Sequence, residues 1–176
     1  MRERTRRIKD GFRDEVLRCM DDNSHEMTLS VREQLYSGID GNGAPLSPSY
    51  EEDPYFDSPR AGYYDEDAGH WVPCFMHPER YIAWKERITP PVAGERLGLS
   101  PRGVGTPNLF IDGTFHESID AKATSQGVEI FTSGWSSGTQ VEGKYGSQIF
   151  ALSDPAVGHF NNNFLWPWLR SWYESL

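Results

Sequence analysis

Apolar residues recur at helical spacing near the start of the chain. Ile8, Phe12, Val16 and Met20 are four residues apart, so they share one face of a helix. The polar residues 21–23 follow and favour a helix end there. A first helix ending at 21–23 is therefore predicted.

A second, shorter helix is predicted directly afterwards. Met27, Val31 and Leu35 lie on one face of it, and Gly38 ends the pattern. Residues 38–45 are then a dense run of glycine, asparagine, aspartate and proline, which favours a tight turn.

The middle of the chain, residues 44–107, shows neither the period of a helix nor the alternation of a strand. A short helix is expected over 78–88, because Pro78 suits a first helical position. The rest is rich in proline and in aromatic rings that no periodic pattern buries. It is expected to be an arm that packs on partner subunits, or else a set of irregular hairpins.

Strand patterns appear only after residue 107. Residues 125–127 have the composition of a hairpin turn between two of the strands. The predicted strands are 109–111, 115–124, 128–132 and 145–152, and 133–143 is predicted to be a mobile or partner-bound loop.

A last helix is predicted from Asp154, followed by Pro155, with a kink at Pro167. Its apolar stripe is expected to pack on the strand that carries Val128 and Ile130, with Phe12 nearby. The packing residues of that stripe are predicted to be Phe160, Phe164 and Leu169.

The order of these elements predicts an α+β fold, because no strand–helix–strand repeat is present. We expect a small antiparallel sheet flanked by N-terminal and C-terminal helices, with a long irregular inserted arm. The 176 residues are assigned to one domain, 1–176, with N-terminal helices at 1–43, the arm at 44–107, and the sheet and last helix at 108–176.

Composition narrows the class of protein. The net charge of −9 argues against broad binding to nucleic acid. No apolar run has the length that a membrane span requires, and no apolar stretch follows the basic start as in a secretory signal. The two cysteines, Cys19 and Cys74, form no disulfide framework. A soluble, aromatic-rich protein is expected.

Charge is divided unevenly along the chain. Residues 1–18 carry seven basic and four acidic side chains, whereas 51–67 are strongly acidic. In one interpretation the basic end of a subunit meets the acidic arm of its neighbour, or meets DNA. In the other, both segments are merely solvated surfaces.

Few motifs point to catalysis. His70, Cys74 and His77 have ligand types that suit zinc, but no fourth ligand is evident, so no metal or other cofactor is expected. His116 is a conceivable hydrolase residue, yet the Gly-x-Ser-x-Gly nucleophile pattern is absent. The run 40–43 lacks the later acidic ligands of a calcium loop. We assign no catalytic residue and expect no enzyme.

Four stretches together resemble the tail-completion, or virion-morphogenesis, proteins of tailed bacteriophages. Residues 34–46, QLYSGIDGNGAPL, are similar to the turn G-x-D-x-x-G-x-P-L that follows a helix in that family. Residues 108–119, NLFIDGTFHESI, resemble its strand and turn, and 127–131, GVEIF, its next hairpin strand. KYG at 144–146 and the helix from Asp154 resemble its closing segment.

This resemblance implies a structural protein rather than an enzyme. It implies a homo-oligomeric ring at the neck or upper tail that joins the head or portal to the tail, assembled in the host cytoplasm and carried in the virion. Partners would be other neck, portal or tail proteins, with DNA passing through the lumen and no membrane contact. The C-terminal composition is similar to that of proteins from crAss-like phages.

The sequence departs from the family in two places. Asp112 stands where the family usually has threonine, and the arm is longer than the usual connecting hairpin. Long arms are where such proteins adapt to different neighbours, so interface residues are predicted at the basic end, on the arm and in the late loop. They are Arg4, Arg6, Arg7, Tyr63, Tyr64, Trp71, Phe75 and Trp135.

Two alternatives remain open at the level of sequence. One is a small hydrolase, zinc-dependent or not, that uses His70, Cys74, His77 or His116. The other is a carbohydrate-binding module of the tail, because Trp166, Trp168 and Trp172 are clustered near the C-terminus.

Overall fold

In the computed structural model, helices surround two separate antiparallel hairpins, so the α+β class is confirmed. The structure describes residues 2–58, 61–73, 78–133 and 138–176. The helices are α1 Arg2–Asp22, α2 Ser24–Tyr36, α3 Pro78–Ile88, α4 Thr114–Glu117, α5 Gly138–Tyr145, α6 Asp154–Phe160 and α7 Trp166–Ser175. The strands are β1 Gly62–Asp65, β2 His70–Pro73, β3 Ile119–Thr124 and β4 Gly127–Thr132.

The two N-terminal helices form where the sequence predicts them. α1 ends at Asp22 and α2 ends before Gly38, whose φ of +73° is unfavourable for a residue with a side chain. On α2 the predicted face, Met27, Val31 and Leu35, is buried. On α1 the fully buried residue is Cys19, which only flanks the predicted stripe.

A central core forms between α2, α4 and β3. The hairpin of β3 and β4 runs from the pair Ile119↔Thr132 to the pair Thr124↔Gly127, with the predicted turn between them. The central core consists of Val31, Leu35, Leu46, Phe115, Ile119 and Ile149.

A second core joins α1 to α6. The predicted packing of Phe160 and Phe164 near Val128 and Ile130 is confirmed, and Cys19 and Met27 complete this cluster. Ile130 and Leu152 pack against both cores, so the two are continuous. Leu169 is buried, and the rings of Phe12 and Trp172 lie 6.4 Å apart.

Four sequence predictions around the hairpin are wrong in whole or in part. Residues 109–111 form no strand, because Leu109 has a φ of +52°. Residues 115–117 belong to α4, which begins where the carboxylate of Asp112 accepts a hydrogen bond from Thr114 N at 2.9 Å. Residues 138–145 are α5 rather than a loop, and 145–152 contain a 3₁₀ turn, Ser147–Phe150, rather than a strand.

The predicted irregularity at Pro167 takes the form of a π-helical segment, Asn161–Leu165, between α6 and α7. The N–H of Trp166 donates to the carbonyl of Asn161, five residues earlier. Proline lacks an N–H and its ring crowds the preceding turn, and a wider turn accommodates both features.

The arm folds largely onto its own subunit. α3 spans Pro78–Ile88 as predicted, and β1 pairs with β2 as an irregular hairpin. A separate aromatic core forms in the arm although the sequence shows no period there, because aromatic rings pack edge to face without one. The arm core consists of Tyr50, Phe56, Ala61 and Ile82, with Tyr81 packed against it.

Across the part of the chain that the structure describes, no helix combines the length and the apolar character needed to cross a membrane.

Candidate functional site

The β1–β2 hairpin carries two exposed aromatic rings side by side. Tyr64 and Trp71 are directly paired across the strands, so their side chains lie on the same face. They are 55% and 52% exposed. A Cβ on Gly62 would lie 2.5 Å from the Trp71 ring, so the indole covers that glycine. The hairpin therefore presents a positioned aromatic pair to its surroundings.

The opposite face of the hairpin holds it to α3. Tyr63 stacks on Trp84 with ring centroids 4.7 Å apart and an angle of 23° between the planes. Neighbouring strand residues point to opposite faces, which is why Tyr63 and Tyr64 have different surroundings. Tyr63, a predicted interface residue, is half-buried against its own subunit.

The tip of the hairpin is acidic. One carboxylate oxygen of Asp65 accepts hydrogen bonds from Asp67 N at 3.1 Å and Ala68 N at 3.2 Å, which closes the turn. Asp67 forms an exposed ion pair with Arg87 of α3. Glu66 is exposed at the tip. The aromatic pair is thus flanked by negative charge.

The basic counterpart lies on α1. Arg6 and Arg7 are exposed, and Arg7 contacts Glu3 at 3.0 Å in an exposed pair of the kind that contributes little stability. Arg4 lies in α1, but the structure does not describe its side chain. Phe75 and Trp135 lie outside the described residues. The predicted interface residues that the structure describes therefore fall on two surfaces, the hairpin and α1.

The three residues of zinc-ligand type that the hydrolase alternative would use are only partly described. His70 lies in β2 and is exposed, with its Nδ1 3.1 Å from the carbonyl of Ala68. Cys74 and His77 lie outside the described residues. Within the described ranges, no three His, Cys, Asp or Glu side chains are grouped so as to hold a metal ion.

His116 is a buried histidine that is hydrogen-bonded to the backbone. It is buried on α4, and its Nε2 donates to the carbonyl of Asn108 at 2.9 Å. The Phe110 ring lies 5.0 Å from the imidazole and that of Tyr36 6.5 Å away. Burial lowers the pKa of His116 to about 4, so the imidazole is neutral at physiological pH.

The turn that resembles the phage family has a structural role. Asp40 Oδ1 accepts hydrogen bonds from Asn42 N at 2.8 Å and Ala44 N at 3.0 Å. Gly43 has a φ of +74°, and Leu46 is buried in the central core. The carboxylate of Asp40 therefore closes the turn from within.

Sequence reasoning missed a cavity of about 460 Å³ between the arm core and the central core. Tyr50 and Phe56 of the arm line it, as does Phe115 of the central core. Lys85 and Lys144 also contribute to its wall. The available signal was Lys85, a lysine on the aromatic side of α3.

Lys85 is one of the most buried side chains, at 1% exposure. Its Nζ donates to the carbonyl of Phe110 and, at 3.1 Å, to Thr89 Oγ1. Burial, reinforced by the positive charge of Arg102, lowers the pKa of Lys85 to about 7. Arg102 itself pairs with Glu86 at 3.2 Å.

The other lysine that lines the cavity, Lys144, is paired with a carboxylate. Lys144 forms an ion pair with Asp53, whose side chain is buried and also accepts a hydrogen bond from Tyr55 N at 3.0 Å. Tyr50 and Tyr145 line the cavity nearby, and burial raises the pKa of each phenol, that of Tyr50 to about 12. Both phenols therefore stay protonated and can donate hydrogen bonds.

Comparison of this chain with protein-family models, with curated proteins and with solved structures finds no match.

Proposed function

We propose that this protein is a structural component of a bacteriophage virion, forming a ring at the neck or upper tail that joins the head or portal to the tail. One observation carries the proposal: residues from each of the four stretches that resemble tail-completion proteins meet in the central core. They are Leu35, Leu46, Leu109, Phe115, Ile119, Ile130 and Tyr145. The stretches that resemble the family are thus in contact with one another through this core.

The surfaces outside that unit suit a ring. Neighbours in a ring use two different patches of each chain, so these patches must complement each other. The hairpin offers an exposed aromatic pair beside acidic side chains, and α1 offers exposed arginines. Buried aromatic anchors and opposite charges are what stable interfaces use.

The proposed partners follow from this position. The ring is homo-oligomeric and contacts portal, neck or tail proteins, and the protein has no catalytic role. The net charge of −9 is compatible with a lumen through which DNA passes without being retained. We also propose that the protein is carried in the virion.

The test removes the aromatic pair from the hairpin. In Tyr64→Ser/Trp71→Ser, incorporation into particles should fall at least about 10-fold, because aromatic anchors are typical interface hot spots. Trp166→Ser is the matched control, since Trp166 is 57% exposed on α7. Circular dichroism checks that each variant is folded. Normal incorporation of a folded double variant would exclude the hairpin as the assembly surface.

A further inference from the structure

The cavity between the arm core and the central core has the size and lining of a small-molecule site. Its volume of about 460 Å³ lies within the range of ligand pockets in proteins. Nearly half of the residues that line it are aromatic, which favours a flat apolar ring. The rings that line it include Tyr50, Tyr55, Phe56, Phe110, Phe115 and Tyr145.

Lys85 gives this apolar site a polar anchor. An ammonium group has three N–H donors, and Lys85 uses two of them, on Phe110 O and Thr89 Oγ1. Phe110 is itself part of the cavity wall. The ion pairs of the described residues engage Lys144 with Asp53 and leave Lys85 without a carboxylate. Glu86 favours the ammonium form of Lys85 electrostatically, but it is paired with Arg102, so an anion in the cavity would stabilise the buried ammonium group further.

We propose that the cavity binds a small aromatic carboxylate, with its ring among the aromatic side chains and its carboxylate accepting the third N–H of Lys85. A charge-assisted hydrogen bond of this kind is stronger than one between neutral groups. The site is independent of the assembly surfaces, because neither Tyr64 nor Trp71 lines the cavity.

Binding should depend on pH. The pKa of Lys85 is lowered to about 7, and a bound anion favours the ammonium form, so binding takes up a proton. Affinity should therefore fall as the pH rises from 6 to 8. The charged and titratable groups around Lys85 and the cavity are Arg102, Glu86, His116, Asp53, Lys144, Asp112, Tyr50, Tyr55, Tyr81 and Tyr145.

The experiment measures benzoate binding to the full chain by calorimetry at pH 6, 7 and 8. Lys85→Met keeps the length of the side chain and removes the charge, and should weaken binding about 10- to 100-fold. Lys122→Met is the matched control, because Lys122 lies on β3 in an exposed pair with Glu129. It should leave binding unchanged.

A second variant keeps the test valid if Lys85→Met does not fold. Ile111 lines the cavity and is 61% exposed, so Ile111→Trp narrows the entrance without disturbing the core. It should reduce benzoate binding at an unchanged melting temperature. The proposal is overturned if the wild type does not bind benzoate, if folded Lys85→Met binds it equally well, or if Ile111→Trp leaves the affinity unaltered.

Discussion

Gly41 shows how single residues fix the turn between α2 and the arm. Its N–H donates to the carbonyl of Gln148 at 2.9 Å, which brings the turn against the segment after α5. A Cβ at this position would lie 2.8 Å from the carbonyl carbon of Ala151. Backbone cannot yield at such a distance, so only glycine allows the close approach.

Substitution of Gly41 should therefore be costly. Gly41→Ala is expected to lower the free energy of unfolding by about 1–3 kcal/mol, because overpacking forces the backbone apart. Gly143→Ala is the matched control, since it lies in α5 with open space around it and should stabilise the helix by about 0.5–1 kcal/mol. Urea denaturation measures both. Equal effects would contradict the packing described for Gly41.

His116 makes stability depend on pH. Its pKa is lowered from 6.5 to about 4, so the unfolded chain binds more protons than the folded one between these values. The neutral imidazole of His116 makes its full contribution to the free energy of unfolding above about pH 6.5. This contribution is lost as the pH falls toward 4.

The expected size of this effect is on the order of 2–3 kcal/mol over that interval. His116→Gln should remove it, because the amide of glutamine can still donate to Asn108 O but does not titrate. Urea denaturation of both proteins at several pH values between 4 and 7 measures the difference. Parallel pH profiles for the two proteins would show that His116 is not the titrating group.

At the scale of elements, polar contacts attach the arm to the rest of the chain at several places. Asp53 of the arm pairs with Lys144 of α5, and Arg96 of the arm pairs with Glu26 of α2 at 2.5 Å. The cavity separates the remaining parts of the two cores. The Asp53–Lys144 pair therefore acts as a bridge across the cavity.

Breaking this bridge should loosen the arm. Lys144→Ala leaves the buried carboxylate of Asp53 without its partner, and should cost about 1–2 kcal/mol after allowance for the partial exposure of Lys144. The substitution should increase the rate of amide hydrogen exchange more in α3 than in α2. Lys122→Ala, which removes an exposed pair, is expected to change neither quantity appreciably. Unchanged exchange in α3 would contradict the role of the bridge.

The elements that the sequence predicts well have strong local signals. α1 and α2 have an apolar period, and α3 begins at Pro78. The sequence does not predict α5 although Val141 and Tyr145 are four residues apart, because Gly143 between them and Gly146 after them are typical of loops.

The cavity and the arm core have no comparable signal. They arise where segments far apart in the sequence meet, as Tyr50 and Ile82 do. The position of Lys85 on the aromatic side of α3 indicates that its side chain is buried. The groups that a buried lysine contacts cannot be predicted from its neighbours in sequence.

At the scale of the whole molecule, the three cores lie in series. The core of α1 and α6 shares residues with the central core, and the cavity joins the central core to the arm core. The basic part of α1 and the acidic hairpin are thus attached to different ends of this series. Such a polar subunit suits head-to-tail association.

Charge reversal tests that association. Arg6 and Glu66 are exposed, and the ion pairs found among the described residues involve neither. Arg6→Glu and Glu66→Arg should each slow assembly on the order of 10-fold at low salt, because electrostatic attraction steers encounter. Both changes in one chain should restore much of the rate, whereas the effect of each should shrink at high salt. Light scattering during assembly measures the rates, and additive losses in the combined variant would contradict complementarity.

The most direct measurement is the symmetry and subunit contact of the assembled protein, by electron microscopy of phage particles. We expect a closed, rotationally symmetric ring at the neck or upper tail, in which Tyr64 and Trp71 of each hairpin are buried against the next subunit. A chain that is absent from the particles, or a ring that leaves both side chains in solvent, would contradict it.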